Sequence, residues 1–187
     1  HCPDAGRRWR GAEPERGYYF YRLMPEISLQ AIEATAIRLG TLERDEEIEA
    51  LIDQLGQEQP LLLAYLIEMG EEDFDEEEKS IFLYLGTLIY EVMRSELPDL
   101  PVLDEDALEA AESTNVALLE TWSDEKPEAF GQLVDELAQG YEQGPMLRYL
   151  KDVLEEELEE SALRPQNLMS LFFFLKVMID CLALSRA

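Results

Sequence analysis

Two pairs of carboxylates stand at the spacing that lets a helix present both side chains on one face. Glu46 and Glu49 form a Glu-x-x-Glu pair, and Glu72 and Asp75 form a Glu-x-x-Asp pair. Residues three apart are neighbours on a helix surface, and carboxylate oxygens are the ligands that hard cations such as Mg²⁺ prefer. The four residues therefore predict a candidate metal site that needs neither histidine nor cysteine.

This spacing is similar to that of the all-α nucleotide pyrophosphohydrolases, which hold magnesium between two such helices. The resemblance implies a Mg-dependent nucleotide phosphohydrolase as an alternative function. The competing interpretation is an acidic loop in solvent, because residues 72–75 follow Gly70 and precede a helix cap. In addition, 42 acidic residues among 187 produce such spacings by chance. We expect the acidic loop.

Histidine and cysteine chemistry is almost absent from the sequence. The one histidine is His1, so a catalytic triad, a His-ligated zinc site and a di-iron Glu-x-x-His bundle each lack their central residue. The two cysteines, Cys2 and Cys181, form no Cys-x-x-Cys motif. We therefore expect no catalytic residue and no cofactor, and we expect Cys181 to be reduced and buried.

The charge balance restricts the class of partner. With 42 acidic and 15 basic residues the formal net charge is −27, which argues against binding to nucleic acid or to an anionic membrane. Negative charge late in a helix opposes the helix dipole, and the sequence places such a run at Glu155, Glu156, Glu159 and Glu160. Either a basic protein partner or solubility explains the run. An acidic DNA mimic is a further alternative.

The first 23 residues differ in composition from the rest of the chain. Residues 1–23 hold five arginines and several helix-breaking glycines and prolines, and the first methionine is Met24. One interpretation is that translation begins at Met24 and that residues 1–23 are not native. The other is a native basic arm that lies on the acidic body.

From residue 24 onward apolar residues recur at helical spacing, and no stretch alternates cleanly as a strand does. Caps, prolines and glycines predict eight helices, with residues 29–40, 45–55, 60–70, 76–94, 105–122, 130–137, 145–163 and 165 to near the end. The predicted fold class is therefore all-α, a bundle of about eight helices.

The second four helices repeat the pattern of the first four. The matched strings, with their separation in the sequence, are Pro25-x-Ile27-Ser28 with Pro101-x-Leu103-Asp104 at 76, Ile48/Leu51/Ile52 with Phe130/Leu133/Val134 at 82, Glu58-Gln59-Pro60 with Glu142-Gln143-Gly144-Pro145 at 84 to 85, and Ser80–Leu85 with Ser170–Leu175 at 90. We therefore predict a helical repeat at 24–95, a Pro-containing linker at 96–103 and a second repeat at 104–187. The two pseudo-symmetric repeats would share one core.

The third and fourth helices of each half are apolar on more than one face, so they should fill the centre. The residues predicted to be buried there are Leu62, Tyr65, Leu66, Phe82, Leu85, Ile89, Leu150, Phe172, Leu175 and Ile179. The most apolar stretch, 168–184, is shorter than a bilayer span and carries Lys176 and Asp180 one turn apart. We expect a core helix there, an ion pair between those two residues and a cytoplasmic protein.

Together these patterns favour a non-enzymatic protein–protein interaction, chaperone or adaptor module. Its size, acidity and all-helical pattern are similar to those of the chaperones that mature molybdenum-containing redox enzymes. The Glu-Pro-x-Asp-His motif of those chaperones is absent, since the nearest string, Ser95–Leu100, contains no histidine. The expected partner is a basic or amphipathic protein segment.

Overall fold

The computed structural model describes residues 25–42, 45–97, 100–122 and 125–184, and within these ranges the regular structure is entirely helical. The helices are α1 Leu29–Gly40, α2 Asp45–Glu58, α3 Pro60–Asp73, α4 Glu76–Glu96, α5 Glu105–Trp122, α6 Phe130–Gln139, α7 Gly144–Glu159 and α8 Leu168–Leu184. Short 3₁₀ turns, Pro127–Ala129 and Pro165–Asn167, precede α6 and α8. The predicted helical bundle is confirmed. The arm predicted at 1–23 lies outside the described residues.

Local sequence signals explain where several helices begin. The Ser28 hydroxyl accepts a hydrogen bond from the Ala31 N–H at the start of α1. The Asp75 carboxylate caps α4, and the Glu78 side chain accepts from the Asp75 N–H to complete a capping box. α3 begins at Pro60, where the missing N–H costs nothing.

Two helix ends differ from the prediction. α3 continues past Gly70 to Asp73, because glycine weakens a helix by only about 1 kcal/mol and Phe74 provides the actual stop by turning into the core in an extended conformation. α7 ends at Glu159, four residues before the predicted end. Ser161 adopts a φ of 64°, which reverses the chain so that Leu163 is buried.

α4 and α8 pack against each other at the centre of the bundle. α3 packs on α4 and α7 on α8, while α1 lies against α4 and α5 against α8. All ten residues predicted for the core are buried, which confirms that prediction. Rings contribute much of this packing, since Phe82 contacts Phe74 and Phe174, and Phe172 contacts Phe130 and Trp122.

The most apolar helical stretch, Pro165–Ala183, is long and apolar enough to cross a membrane by length and composition alone, and 67 % of its most apolar window is buried inside the bundle. Lys176 and Asp180 form the predicted ion pair, with Nζ 2.7 Å from Oδ2. Cys181 is buried, as predicted. α8 therefore serves as a core helix of this bundle.

Candidate functional site

The four carboxylates of the metal hypothesis lie on three elements. Glu46 and Glu49 are exposed in the first turn and a half of α2, while Glu72 lies in the last turn of α3 rather than in a loop. The Asp75 carboxylate is occupied as the cap of α4, where it accepts from the N–H groups of Glu77 and Glu78. The side chain of Glu72 lies outside the described part of the structure, so the metal site stays a prediction.

Among the side chains that are described, no group of three or more His, Cys, Asp or Glu residues is arranged to hold a metal ion. The described carboxylates that are buried are held by internal partners instead. Glu78 accepts hydrogen bonds from Arg164 and Asn167, and Glu91 accepts from Arg38 and Arg94. Such contacts are typical of ion pairs that join elements of a fold.

A third polar cluster joins α5, the loop before α7, and α8. Asp180 accepts from Lys176, from the Tyr141 hydroxyl and from the Asn115 amide. The Lys176 ammonium also lies 4.8 Å from the centre of the Tyr141 ring. Burial raises the pKa of Tyr141, and the Asp180 carboxylate raises it further. The hydroxyl therefore stays protonated and donates, which identifies the cluster as a neutralised internal network.

An open apolar groove lies between α1, α2 and α4, and we call it the first-half groove. Its volume is about 370 Å³. Its lining residues are Leu39, Leu42, Ile48, Leu51, Ile52, Ser80, Leu83, Tyr84 and Thr87. Ile48 is 43 % exposed and Tyr84 is 42 % exposed, so large apolar side chains face solvent here without a partner from the described chain.

Acidic groups border this groove. The segment 43–49, which enters α2 beside it, contains five carboxylates and one arginine. On the opposite side, burial raises the pKa of Tyr149, and Tyr84, Glu33 and Glu156 raise it further, in that order. These negative groups are therefore close to the Tyr84 edge of the groove. The described cation next to Ser80, Lys79, is already paired with Glu76.

The acidic run predicted to bind a partner lies in the last turns of α7. Glu156, Glu159 and Glu160 are exposed. Glu155 instead packs on α6, where its Oε1 would lie 2.4 Å from a Cβ added to Gly131. Burial raises the pKa of Glu155, although Lys151 opposes that shift. Of the four, Glu156 is the one whose charge reaches the first-half groove, through Tyr149.

The sequence analysis did not identify Leu83, Tyr84 and Thr87 as groove residues. Their spacing along α4 is that of any core-facing stripe, and only the neighbouring helices leave it uncovered. Comparison with known proteins adds no further guide, because no protein-family model, no curated protein and no solved structure matches this chain.

Proposed function

We propose first that the chain consists of two copies of one four-helix unit. The support comes from two buried glutamines that make the same contacts in opposite directions. The Gln143 side chain accepts from the Ile27 N–H at 3.1 Å and donates to the Pro25 carbonyl at 3.1 Å. The Gln59 side chain accepts from the Leu103 N–H at 2.8 Å and donates to the Pro101 carbonyl at 2.7 Å.

We call these two contacts the glutamine clamps. Each glutamine precedes the third helix of its own half and holds the segment that enters the other half. The helix contacts follow the same scheme, since α1 packs on α4 as α5 packs on α8, and α2 packs on α3 as α6 packs on α7. A duplicated unit related by an approximate two-fold axis accounts for both observations.

The two halves differ at one place that matters for function. α5 has 18 residues and α1 has 12. The same six-residue difference separates the sequence offsets of the first and second helix pairs, 76 and 82. The extra turns of α5 end at Trp122, whose ring lies 6.2 Å from that of Phe172 and 5.1 Å from that of Phe173.

The first half has no counterpart of Trp122. The positions that match Phe130 and Phe173 are Ile48 and Leu83, and both line the first-half groove. The missing turns therefore account for the opening of the groove. An aromatic side chain from outside the bundle would fill it as Trp122 fills its own surroundings in the second half.

We infer that the protein is a non-enzymatic interaction module that binds a basic, amphipathic protein segment in the first-half groove. The observation that carries this proposal is an open apolar groove bordered by acidic groups. The apolar face of the segment would cover Ile48 and Tyr84, with one aromatic ring inserted, and its basic face would meet the carboxylates around the groove. We also propose a cytoplasmic location, which the burial of most of α8 supports.

A binding experiment tests the groove directly. The probe is a fluorescent, lysine-rich amphipathic helical peptide of about 18 residues with one tryptophan on its apolar face. We expect fluorescence anisotropy to show at least about tenfold tighter binding than for the same peptide with alanine in place of tryptophan. The affinity should also fall as salt rises, since the charges around the groove are exposed.

Two variants with the same added charge locate the site. Ile48→Glu places a carboxylate in the groove, and we expect it to weaken binding of the tryptophan peptide at least about tenfold. Val102→Glu changes a residue that is 64 % exposed outside the groove, and binding should change less than twofold. Equal effects of the two variants would show attraction to overall charge and would refute the groove as the site.

A further inference from the structure

A second cleft, independent of the first-half groove, lies between α3, α5 and α8. It has a volume of about 290 Å³. Its walls are mainly apolar, with Val116 and Leu119 from α5 facing Tyr65 and Phe174. The rings of Tyr65 and Phe174 meet edge to face, with centroids 6.4 Å apart. These dimensions suit one aromatic ring or a short alkyl chain.

Asn115 contributes an unsatisfied polar atom to this cleft. Its side chain is 2 % exposed, and its Nδ2 donates to the Ala111 carbonyl at 2.8 Å and to Asp180 Oδ2 at 2.6 Å. Both partners are acceptors, so the amide cannot be turned over without losing both bonds. Asn115 Oδ1 is therefore an acceptor, and it has no hydrogen-bond partner within the described chain.

A buried acceptor without a donor costs free energy, so a ligand that brings a donor would gain the bond that the protein lacks. The other charged group in the cleft is Glu112, half-buried and about one turn before Asn115. Glu112 is close enough to raise the pKa of Tyr65, after the larger effect of burial. The Tyr65 hydroxyl is the one described side-chain group lining this cleft that donates as well as accepts.

We propose that this cleft binds a small primary ammonium compound with an apolar body. One ammonium N–H donates to Asn115 Oδ1, the positive charge faces the Glu112 carboxylate, and the ring or alkyl chain packs on Val116 and Phe174. Because Oδ1 has less than 1 Å² of exposed surface, a side chain of the cleft must move as the ligand enters. Met69, which is unbranched and flexible, lies in the same cleft.

The test is a titration of the full, ¹⁵N-labelled chain at pH 7 with 2-phenylethylammonium chloride, followed by NMR. We expect saturable shifts of the Asn115 side-chain amide and of α5 amides near it. Two analogues separate the interactions: the N,N,N-trimethyl derivative keeps the charge but has no N–H donor, and 2-phenylethanol keeps a donor but has no charge. Each should bind at least about tenfold more weakly.

Variants test the two polar groups separately. Glu112→Gln and Asn115→Leu should each weaken binding of 2-phenylethylammonium at least about fivefold. Glu105→Gln, which removes the same charge from an exposed position of α5, should leave binding unchanged. Circular dichroism reports whether each variant folds, and Glu112→Gln decides if Asn115→Leu does not. Absent or unsaturable shifts, equal binding of the three compounds, or equal effects of Glu112→Gln and Glu105→Gln would overturn the proposal.

Discussion

Glu78 and Glu91 are carboxylates with no exposed surface in a chain whose described acidic residues are otherwise mostly at the surface. Each is surrounded by donors. Glu78 accepts from the backbone and side chain of Arg164 and from Asn167, and thereby ties the start of α4 to the turn before α8. A buried charge is tolerated only when it is paired and hydrogen-bonded in this way.

Glu78→Gln should destabilise the protein. Burial alone would raise the pKa of Glu78, but the hydrogen bonds from Arg164, Asn167 and Asp75 lower it to about 2. We expect the variant to lose about 2 to 3 kcal/mol of unfolding free energy at pH 7, measured by urea denaturation. The exposed neighbour Glu77→Gln is the control, and its loss should stay below about 0.5 kcal/mol.

The pH dependence of this effect has a definite sign. Because the folded pKa lies below the unfolded value, Glu78 stabilises the protein above pH 4.5 and loses that contribution as the pH falls towards 2. The difference between wild type and Glu78→Gln should therefore be constant near neutrality and shrink below about pH 4. A difference that stays the same at pH 3 would contradict this assignment.

At the scale of helices, the glutamine clamps fix how each half enters the other. Gln59 is 2 % exposed and Gln143 is 1 % exposed, and each satisfies one N–H and one carbonyl of a proline-containing segment that is not helical. Backbone groups in such segments have no helical partner, so a buried side chain must supply the bonds.

Gln59→Leu and Gln143→Leu should each cost about 1 to 3 kcal/mol, because each leaves two backbone groups without partners. Hydrogen exchange should locate the damage in the opposite half, at the Leu103 amide for Gln59→Leu and at the Ile27 amide for Gln143→Leu. Gln132→Leu, at an exposed position of α6, is the control. Faster exchange confined to the mutated half would contradict the crossed arrangement.

At the scale of the whole molecule, the contact between α4 and α8 makes the bundle one unit. Leu85, Ile89, Leu175 and Ile179 all have no exposed surface. Each half taken alone would expose such residues to water, at a cost of about 25 cal/mol for every Å² of apolar surface.

Fragments 24–97 and 101–187 should therefore each lack a cooperative thermal transition, and an equimolar mixture should regain one, as followed by circular dichroism. A full chain cut between residues 97 and 101 at an inserted protease site is the control for the chain break, and it should keep its transition. Two fragments that each melt cooperatively alone would contradict a shared core.

Much of this fold follows from the sequence because the signals are local. Ser28, Asp75 and Pro60 each mark a helix start through the backbone groups of one turn, and the structure places helix starts there. Burial of the ten core residues was also predictable, since helices that are apolar on several faces can only lie inside. The two helix ends that differ are places where Phe74 and Leu163, buried by distant partners, decide the outcome.

The sequence by itself thus determined the helical class, most helix boundaries, the core and the acidic surface. The tertiary structure decided which charged residues are buried, since Glu78 and Glu91 look like any of the other acidic residues until Arg164 and Arg38 reach them from distant helices. It also decided where apolar surface stays open, because a groove is a property of three helices together. Local patterns set elements, whereas contacts between residues far apart in the chain set sites.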